Sequence, residues 1–265
     1  MYTFGFIGTG NMGGALATAA SRSTKNILLA DHFADKAQAL ADTLGVDCAD
    51  NIAVIKSCRY VFLGVKPQMM ADMLLSVRDA LCCRDDIILV TMAAGLKIDT
   101  IRSMAGGSYK VIRIMPNTPV GVGEGEILYT PSENVTDAEL GEFLSLMQHA
   151  GQLTAIPESL MDAGCSLSGC GPAFVFKFIR ALAQGGINAG LDEATAMALA
   201  AQTVIGAAKL LTASPLDPET LIKNVCSPGG STIEGVRSLD HDGFEKIVAD
   251  AVAASYRRNI ELGKA

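Results

Sequence analysis

The sequence predicts an α/β fold, with a doubly wound parallel sheet in its N-terminal part and an all-α domain after it. Short apolar runs alternate with amphipathic segments over residues 1–157, and the runs are apolar throughout. This pattern is typical of parallel strands that helices cover on both faces. After residue 157 the strand signal fades and helical segments follow one another. We therefore expect one domain at residues 1–157 and an all-helical domain at 158–265.

Apolar runs predict the strands of the first domain, and the amphipathic segments between them predict its helices. The expected strands are residues 4–7, 26–30, 60–63, 87–91, 110–114 and 153–156. The expected helices are residues 11–21, 34–44, 69–81, 98–104 and 136–149. Asp137 and Glu139 fall in the first turn of the last helix, where negative charge suits the positive end of the helix dipole.

Five helices are expected in the second domain, at residues 172–188, 192–211, 218–225, 231–238 and 243–262. Gly190 ends the first of them, and Asp192 is placed to cap the next. The stretch 194–211 carries one charge, on Lys209, in eighteen residues. Because a helix that is apolar all round must be covered on every side, we predict that it packs against a second subunit. The alternative is a central helix within one subunit.

The composition is that of an ordinary globular protein, with 49% hydrophobic and 18% charged residues. The net charge is -7 and no run of Lys or Arg offsets it, so we expect no binding to nucleic acid or to an anionic membrane. The apolar runs at 60–65 and 87–90 are far shorter than the roughly 20 residues of a membrane helix.

The start of the chain and its cysteines indicate a compartment. The first residues have neither a basic region nor a cleavage site, so we expect no signal peptide. The seven cysteines are an odd number without metal-like spacing, which favours a reducing cytoplasm. The three histidines are scattered in sequence, so no metal site is expected.

A glycine-rich turn, Gly8-Thr9-Gly10-Asn11-Met12-Gly13, follows the first strand and opens the first helix. In that context GxGxxG is the fingerprint of a Rossmann domain that binds a dinucleotide. The glycines permit a tight turn, and the helix amides and dipole hold the pyrophosphate. A plain glycine turn is the alternative. We expect NADH or NADPH to bind here.

Asp31 closes the second strand, 18 residues after Gly13. An acidic residue at this position usually binds the ribose hydroxyls of the adenosine, and its carboxylate would repel a 2′-phosphate. Between Asp31 and Asp35 the only possible cation is His32. The sequence therefore favours NADH over NADPH. Alternatively, Asp31 points to solvent or caps the next helix.

Two further segments follow neighbouring strands, Gly64-Val65-Lys66-Pro67 and Ala93-Ala94-Gly95. Ligands of open α/β sheets bind at the carboxyl ends of the strands, and small residues there let a flat ring lie close to the backbone. Lys66 is the only charge in residues 60–70. We expect it to bind a phosphate or ribose, and simple exposure is the alternative.

The segment from Ser227 to Glu234 reads Ser-Pro-Gly-Gly-Ser-Thr-Ile-Glu. Ser231 and Glu234 fit a capping box, so a helix is expected to begin there. Free amides and hydroxyls at a helix start can bind a carboxylate, although an ordinary capped turn explains the segment equally well. The sequence holds no convincing nucleophile triad or carboxylate pair. Hydride transfer needs neither, because the cofactor carries the chemistry.

Several segments, in order over nearly the whole chain, resemble pyrroline-5-carboxylate reductases. They are Phe6-Ile7-Gly8-Thr9-Gly10-Asn11-Met12, Val65-Lys66-Pro67, Ala93-Ala94-Gly95, Arg113-Ile114-Met115-Pro116-Asn117-Thr118-Pro119, Ser168-Gly169-Cys170-Gly171-Pro172-Ala173 and Ser227-Pro228-Gly229-Gly230-Ser231-Thr232. The Met-Pro-Asn-Thr-Pro and Ser-Pro-Gly-Gly-x-Thr segments are the specific ones. The glycine fingerprint alone is not specific.

The resemblance implies hydride transfer from NAD(P)H to C5 of 1-pyrroline-5-carboxylate, giving L-proline. It also implies a helical dimerisation domain, with a homodimer or a larger assembly of dimers. By position, the substrate residues would be Glu158, Asn224, Ser227, Gly230, Ser231 and Thr232. Thr232 would be the catalytic residue, with its hydroxyl facing the ring nitrogen. The cofactor residues would be Ile7, Gly8, Thr9, Gly10, Asn11, Met12, Gly13, Asp31, Asn51, Gly64, Val65, Lys66, Pro67, Met92, Ala93 and Ala94.

The sequence departs from the family pattern at two positions and argues against two rivals. Cys170 replaces a small residue such as Ser, and Asp31 stands where members that favour NADPH carry an uncharged polar residue. The related β-hydroxyacid dehydrogenases use a Lys with an Asn four residues later, but here Lys177 is followed at that spacing by Ala181. A non-catalytic nucleotide sensor would have no need of the segment from Ser227 to Thr232.

Overall fold

The computed structural model describes residues 1–263, and its contacts divide the chain into two compact units. The first unit is Met1–Cys170 together with the end of the chain from Ser255, and the second is Gly171–Ala254. The contacts thus divide the chain after residue 170, because Met161 is buried against Met115 and Leu128 of the first unit. The domain boundary expected after residue 157 stays a prediction.

The first unit alternates strands and helices, and the second is helical. The strands are β1 (Tyr2–Ile7), β2 (Ile27–Ala30), β3 (Asp47–Cys48), β4 (Cys58–Leu63), β5 (Ile88–Thr91), β6 (Lys110–Pro116), β7 (Gly125–Pro131) and β8 (Gly151–Ala155). The helices of the first unit are α1 (Asn11–Ala20), α2 (Ala34–Leu44), α3 (Asn51–Ser57), α4 (Met70–Ser76), α5 (Arg78–Leu81), α6 (Ile98–Ala105), α7 (Asp137–Met147) and α8 (Met161–Gly164). The remaining helices are α9 (Gly171–Asn188), α10 (Glu193–Ala213), α11 (Pro218–Val225), α12 (Ser231–His241) and α13 (Phe244–Leu262), the last of which runs from the second unit into the first.

The eight strands form one sheet in the order β3-β2-β1-β4-β5-β6-β7-β8. This confirms the predicted doubly wound α/β fold. Every neighbouring pair is parallel except β6 and β7, which are antiparallel, so the prediction of a parallel sheet was wrong between those two strands. The connection from β6 to β7 holds only a single 3₁₀ turn, Thr118–Val122, which is too short for the crossover that a parallel strand requires.

The sheet separates two hydrophobic layers. Phe4 and Phe6 of β1 enter one layer, and Ile7 enters the other, as the alternation of side chains along a strand requires. Phe6 stacks on Phe62 of β4, with ring centroids 4.3 Å apart. Both central strands are thus buried on both faces, and the strand order diverges from β1 toward β2 on one side and β4 on the other. Ligands of such sheets bind at this switch point.

The structure differs from the sequence-based expectation at the strands β3 and β7, at the helices α3 and α8, and in the helix predicted over residues 69–81. The strand β3 and the helix α3 were not predicted, because each is short and half polar. The helix predicted over residues 69–81 is divided into α4 and α5 at Val77, whose φ of -111° and ψ of 5° leave the helical region. Asp192 caps α10 as predicted, since its side chain accepts a hydrogen bond from the Thr195 amide.

The second unit exposes much apolar surface. Its buried core is a small group in α9 and α10, namely Ala183, Ala196 and Ala200. Large side chains on the same helices are exposed, with Phe176 at 64% and Leu199 at 54%. In the part of the chain that the structure describes, α10 is the one helix long and apolar enough to cross a membrane, by length and composition only. A single subunit therefore leaves the apolar side chains of α9 and α10 uncovered.

Candidate active site

The glycine-rich turn joins β1 to α1 at the switch point of the sheet. Gly8 has a φ of +99°, and a Cβ there would come within 2.6 Å of the Gly64 carbonyl oxygen at the end of β4. A Cβ on Gly13 would collide with the Gly8 carbonyl oxygen. A Cβ on Gly10, in contrast, would have no atom within 4 Å. The open backbone edge at Gly10, at the N-terminus of α1, fits the close approach of a pyrophosphate.

A cavity of about 450 Å³ opens beside this turn. Eight of the expected cofactor residues line it, namely Ile7, Gly8, Gly10, Asp31, Asn51, Gly64, Val65 and Lys66. Asn51 is brought there by α3, whose first turn is capped by the Asp50 carboxylate accepting from the Ala53 amide at 2.7 Å. Lys66 is exposed as well as on the cavity wall. The cavity thus has the position and lining expected for a dinucleotide.

The other expected cofactor residues lie around the cavity without lining it. Thr9 is buried behind Asp31, and Met12 packs on the hydrophobic layer that contains Phe6. The rest, Asn11, Gly13, Pro67, Met92, Ala93 and Ala94, belong to the start of α1 and to the segments after β4 and β5. Ala93 is only 3% exposed.

Seven further residues line the cavity but were not among the expected cofactor residues, namely His32, Phe33, Lys36, Met69, Asp72, Met73 and Ser76. A signal for some of them was present. Met69, Met73 and Ser76 recur at the spacing of one helical face, and His32 and Phe33 directly follow Asp31. Phe33 is 67% exposed beside Asp31, which leaves an aromatic ring at the edge of the cavity.

Asp31 is held by three hydrogen bonds. Its Oδ2 accepts from the Thr9 backbone amide at 2.6 Å and from the Thr9 hydroxyl at 2.9 Å, and its Oδ1 accepts from the Phe33 amide at 3.0 Å. Burial alone would raise the pKa of this carboxyl. The hydrogen bonds from Phe33 and Thr9, with the charge of Lys36, outweigh burial and hold the pKa below its ordinary value. Asp31 is therefore a fixed anion on the cavity wall.

Glu158, an expected substrate residue, has two partners within the first unit. Its Oε1 accepts from the Ile98 amide, the first of α6, at 2.8 Å and from Arg113 Nη1 at 3.1 Å. Arg113 is 2% exposed, and its Nε has no hydrogen-bond partner among the described residues. The Glu158 carboxylate thus neutralises a buried cation and stabilises the positive end of α6.

The segment Arg113 to Pro119 and the segment around Cys170 are joined by one amide side chain. Asn117 is 8% exposed, donates from Nδ2 to the Ser168 carbonyl at 3.0 Å and accepts at Oδ1 from the Glu126 amide at 2.9 Å. Cys170 donates its amide to the Cys165 carbonyl, and its thiol is free. These contacts give the Met-Pro-Asn-Thr-Pro segment a structural role in positioning the end of β6.

In the second unit, the other expected substrate residues lie at the junction of α11 and α12. Asn224 is in the last turn of α11, and Ser227 begins a turn in which the Gly230 amide donates to the Ser227 carbonyl at 3.0 Å. The helix α12 begins at Ser231, as predicted. The predicted capping box was wrong, because the N-cap is Gly230 and Glu234 instead pairs with Arg237 at 2.7 Å.

The absence of a capping box leaves the first turn of α12 open to a ligand. Gly230 has no side chain to accept hydrogen bonds from the first turn of α12, and Ser231 and Thr232 are exposed. The first-turn amides and the two hydroxyls are therefore available to an anion. Among the described residues, no group of three His, Cys, Asp or Glu side chains is arranged to hold a metal ion.

The pea pyrroline-5-carboxylate reductase is 36% identical to this chain over 265 residues, which span 98% of the chain and 96% of the relative. The chain belongs to the pyrroline-5-carboxylate reductase family. The Escherichia coli reductase is 34% identical over 98% of each chain. The family model for pyrroline-5-carboxylate reductase dimerisation matches residues 158–262, and a model described as NADP oxidoreductase, coenzyme F420-dependent, matches residues 3–95.

Solved structures of pyrroline-5-carboxylate reductases have the same fold. The Coxiella burnetii enzyme is 27% identical, with a TM-score of 0.91 over 98% of both chains. The Plasmodium falciparum enzyme, solved with NADP bound, is 28% identical, with a TM-score of 0.87 over 99% of this chain and 98% of that one. The family membership confirms the resemblance seen in the motifs, and it assigns the chain an NAD(P)-dependent oxidoreductase domain.

Proposed function

We propose that this chain reduces 1-pyrroline-5-carboxylate to L-proline with NAD(P)H. The observation that carries the proposal is the start of α12, which has no side-chain cap and leaves amides and hydroxyls available for a carboxylate. The first unit of the same chain has a glycine turn with open space at Gly10, which suits a dinucleotide. The family membership supplies the substrate class, since its members are named for this substrate. A β-hydroxyacid dehydrogenase would need an Asn in place of Ala181.

The first unit would hold the cofactor. The amides at Gly10 and Asn11, with the dipole of α1, suit the diphosphate, and Asp31 suits the ribose. The wider set proposed to contact the cofactor is Ile7, Gly8, Thr9, Gly10, Asn11, Met12, Gly13, Asp31, Asn51, Gly64, Val65, Lys66, Pro67, Met92, Ala93 and Ala94. When bound, the reduced nicotinamide supplies a hydride to C5 of the pyrroline ring.

The second unit would hold the substrate. The Ser227 hydroxyl and the amides of Gly230, Ser231 and Thr232 suit the carboxylate, with Asn224 nearby in sequence. Reduction of the C=N bond adds a hydride at carbon and a proton at nitrogen. The Thr232 hydroxyl would face that nitrogen and orient the group that delivers the proton, for which water is a candidate. Thr232 is thus the proposed catalytic residue.

We also propose that the chain self-associates as a homodimer or as a larger assembly of dimers. The dimerisation model spans α10, whose exposed apolar residues need a cover. A second copy would provide that cover, so no membrane is required. A cytoplasmic location and the absence of nucleic-acid binding are proposed from the free cysteines and the net charge of -7.

The activity is tested by following the absorbance of NADH or NADPH when purified protein meets pyrroline-5-carboxylate. We expect substrate-dependent oxidation of at least one cofactor. Thr232→Ala should lower kcat by about 10²-fold, which is the low end of the effect that acid–base groups have on a reaction rate. The dissociation constant of the cofactor should stay the same. Ser238→Ala, which removes an exposed hydroxyl later in α12, is the matched control.

Two results would count against this assignment. No oxidation of either cofactor by the wild type would remove the reductase function. Loss of cofactor binding in Thr232→Ala would mean that the start of α12 serves the cofactor and not the substrate.

A further inference from the structure

The carboxylate of Asp31 cannot turn away from the cavity without breaking hydrogen bonds. Thr9, which donates two of its three bonds, is the residue between the first two glycines of the turn and is only 5% exposed. The third bond, from the Phe33 amide, fixes the other oxygen. Carboxylate oxygens have about four lone-pair sites, so the three bonds leave acceptor capacity for a ligand.

We infer that Asp31, held in place by Thr9, makes this chain select NADH over NADPH. The inference rests on the proposed function in that the cavity beside Gly10 binds the dinucleotide. The two cofactors differ only at the 2′ position of the adenosine ribose, which carries a hydroxyl in NADH and a phosphate in NADPH. A carboxylate after the second strand accepts hydrogen bonds from the hydroxyl and repels the phosphate.

Three side chains on the cavity wall can carry positive charge and favour the opposite preference, namely His32 and Lys36, which follow Asp31 in sequence, and Lys66, which follows β4 and is exposed. Lys36 is close enough to Asp31 to lower the pKa of its carboxyl. Part of the Lys36 charge is therefore already balanced by Asp31, and all three side chains are exposed. Asp31 is the anchored group and the cations are the solvated ones, so a 2′-phosphate meets the anion without an equally fixed counter-charge.

The property belongs to this chain and not to the fold. The Plasmodium falciparum relative is solved with NADP bound, so the family architecture itself admits the phosphate. In this chain the groups proposed to set the preference are the Asp31 carboxylate and the Thr9 hydroxyl that fixes it. The Thr9 side chain has a positioning role, because its hydroxyl bonds Asp31 and does not line the cavity, whereas the Thr9 backbone belongs to the turn proposed to contact the cofactor.

The test is direct binding without substrate, read from the fluorescence of the reduced nicotinamide. Wild-type protein should bind NADH at least about tenfold more tightly than NADPH. The ratio of the two dissociation constants should move toward one at high salt, because salt screens the repulsion between Asp31 and the 2′-phosphate. Asp31→Ser should abolish the preference. Thr9→Val keeps the side-chain shape but removes the hydroxyl, and should weaken the preference to roughly a third of its wild-type value. Asp42→Ser and Thr43→Val, exposed positions on α2 outside the cavity, are the controls.

Equal binding of the two cofactors by the wild type, or tighter binding of NADPH, would overturn the inference. If Lys36→Ala then removed the tighter binding of NADPH, the lysine would be the determinant instead. An unchanged preference in Thr9→Val would reject the positioning role of Thr9. These outcomes are distinct from failure of the proposed function, which would appear as no binding of either cofactor or as binding without reduction of the pyrroline. The wild-type ratio and its salt dependence do not depend on any variant folding.

Discussion

At the scale of single residues, Glu158 has two possible roles, as a contact of the substrate or as the structural partner of Arg113. The resemblance implies that it contacts the substrate, whereas its Oε1 already accepts from the first amide of α6 and from Arg113. Arg113 is almost completely buried, so removing its partner leaves a cation that is poorly neutralised. Asp162 lies 3.9 Å from Arg113 Nη2, too far for a hydrogen bond to replace Glu158.

We therefore expect Glu158→Gln to lower the free energy of unfolding by about 1–2 kcal/mol, less than for a fully buried pair because Glu158 is partly exposed. Urea denaturation measures the change. Glu133→Gln, which removes the carboxylate paired with Arg102 at the surface, is the matched control and should change little. A variant of normal stability but with a raised KM for pyrroline-5-carboxylate would show that Glu158 serves the substrate instead.

The sequence motifs predicted where the site residues lie better than they predicted which residues contact each other. The glycine fingerprint and Asp31 could be found from spacing alone, because a turn after β1 and an acid after β2 are local features. The bond from Thr9 to Asp31 spans 22 positions and could not be found in that way. The capping box failed for a different reason, because Gly230 occupies the N-cap position and Glu234 pairs with Arg237, three residues along its own helix.

At the scale of secondary-structure elements, α7 has the complete capping box that α12 lacks. The Thr136 hydroxyl accepts from the Glu139 amide, and the Glu139 carboxylate accepts from the Thr136 amide at 2.9 Å. Glu139 also pairs with Lys110 of β6 at 2.6 Å. Burial alone would raise the pKa of Glu139, but the bonds from Lys110 and Thr136 outweigh it and hold the pKa below its ordinary value of 4.5.

The lowered pKa gives a stability that depends on pH. A carboxyl that is a stronger acid in the folded state stabilises the fold above its unfolded pKa, and the contribution is lost as the pH falls through the folded pKa. Glu139→Gln resembles the protonated side chain, so we expect it to lower the free energy of unfolding by about 1 kcal/mol at pH 7. The difference from wild type should shrink as the pH falls below the ordinary value of 4.5 and vanish only below the lower pKa of the folded state, as measured by urea denaturation across pH. Glu245→Gln, in the first turn of α13, controls for the lost charge; a difference that persists in acid would contradict the linkage.

Elements with clear boundaries in the sequence were predicted closely, and elements without them were missed. The helix α11 was predicted at its observed bounds, because Asp217 and Pro218 mark its start in sequence. The two residues of β3 pair with β2 through the backbone and carry no apolar run that could reveal them. The strand β7 was missed because it begins at the end of a glycine-rich stretch, residues 121–125, where the sequence predicted no element. Its antiparallel pairing with β6 follows from the short 3₁₀ connection between them.

At the scale of the whole molecule, α10 is a helix whose composition demands a cover that one subunit does not provide. The near absence of charge in α10 predicts a cover on all sides, and in one subunit the helix exposes large apolar residues such as Leu199 and Leu210. A second subunit was the predicted cover, but composition alone does not separate that from a membrane, because both require an apolar helix. The family match to a dimerisation domain favours the protein surface.

A second copy and a membrane predict different behaviour in solution. If α10 is covered by another copy, purified protein without detergent should have at least twice the 27.6 kDa mass of one chain, measured by light scattering. Its melting temperature should rise with protein concentration, because association stabilises the folded state by mass action.

Leu199→Asp places a charge in the expected interface and should weaken association by at least about tenfold. The melting temperature of this variant should then depend less on protein concentration. Leu75→Asp changes a leucine of α4 that is similarly exposed, in the first unit, and should remain associated like the wild type. A wild-type monomer in buffer, or protein that is recovered only with detergent, would contradict self-association through α10. Leu199→Asp protein with unchanged mass would move the interface to another face.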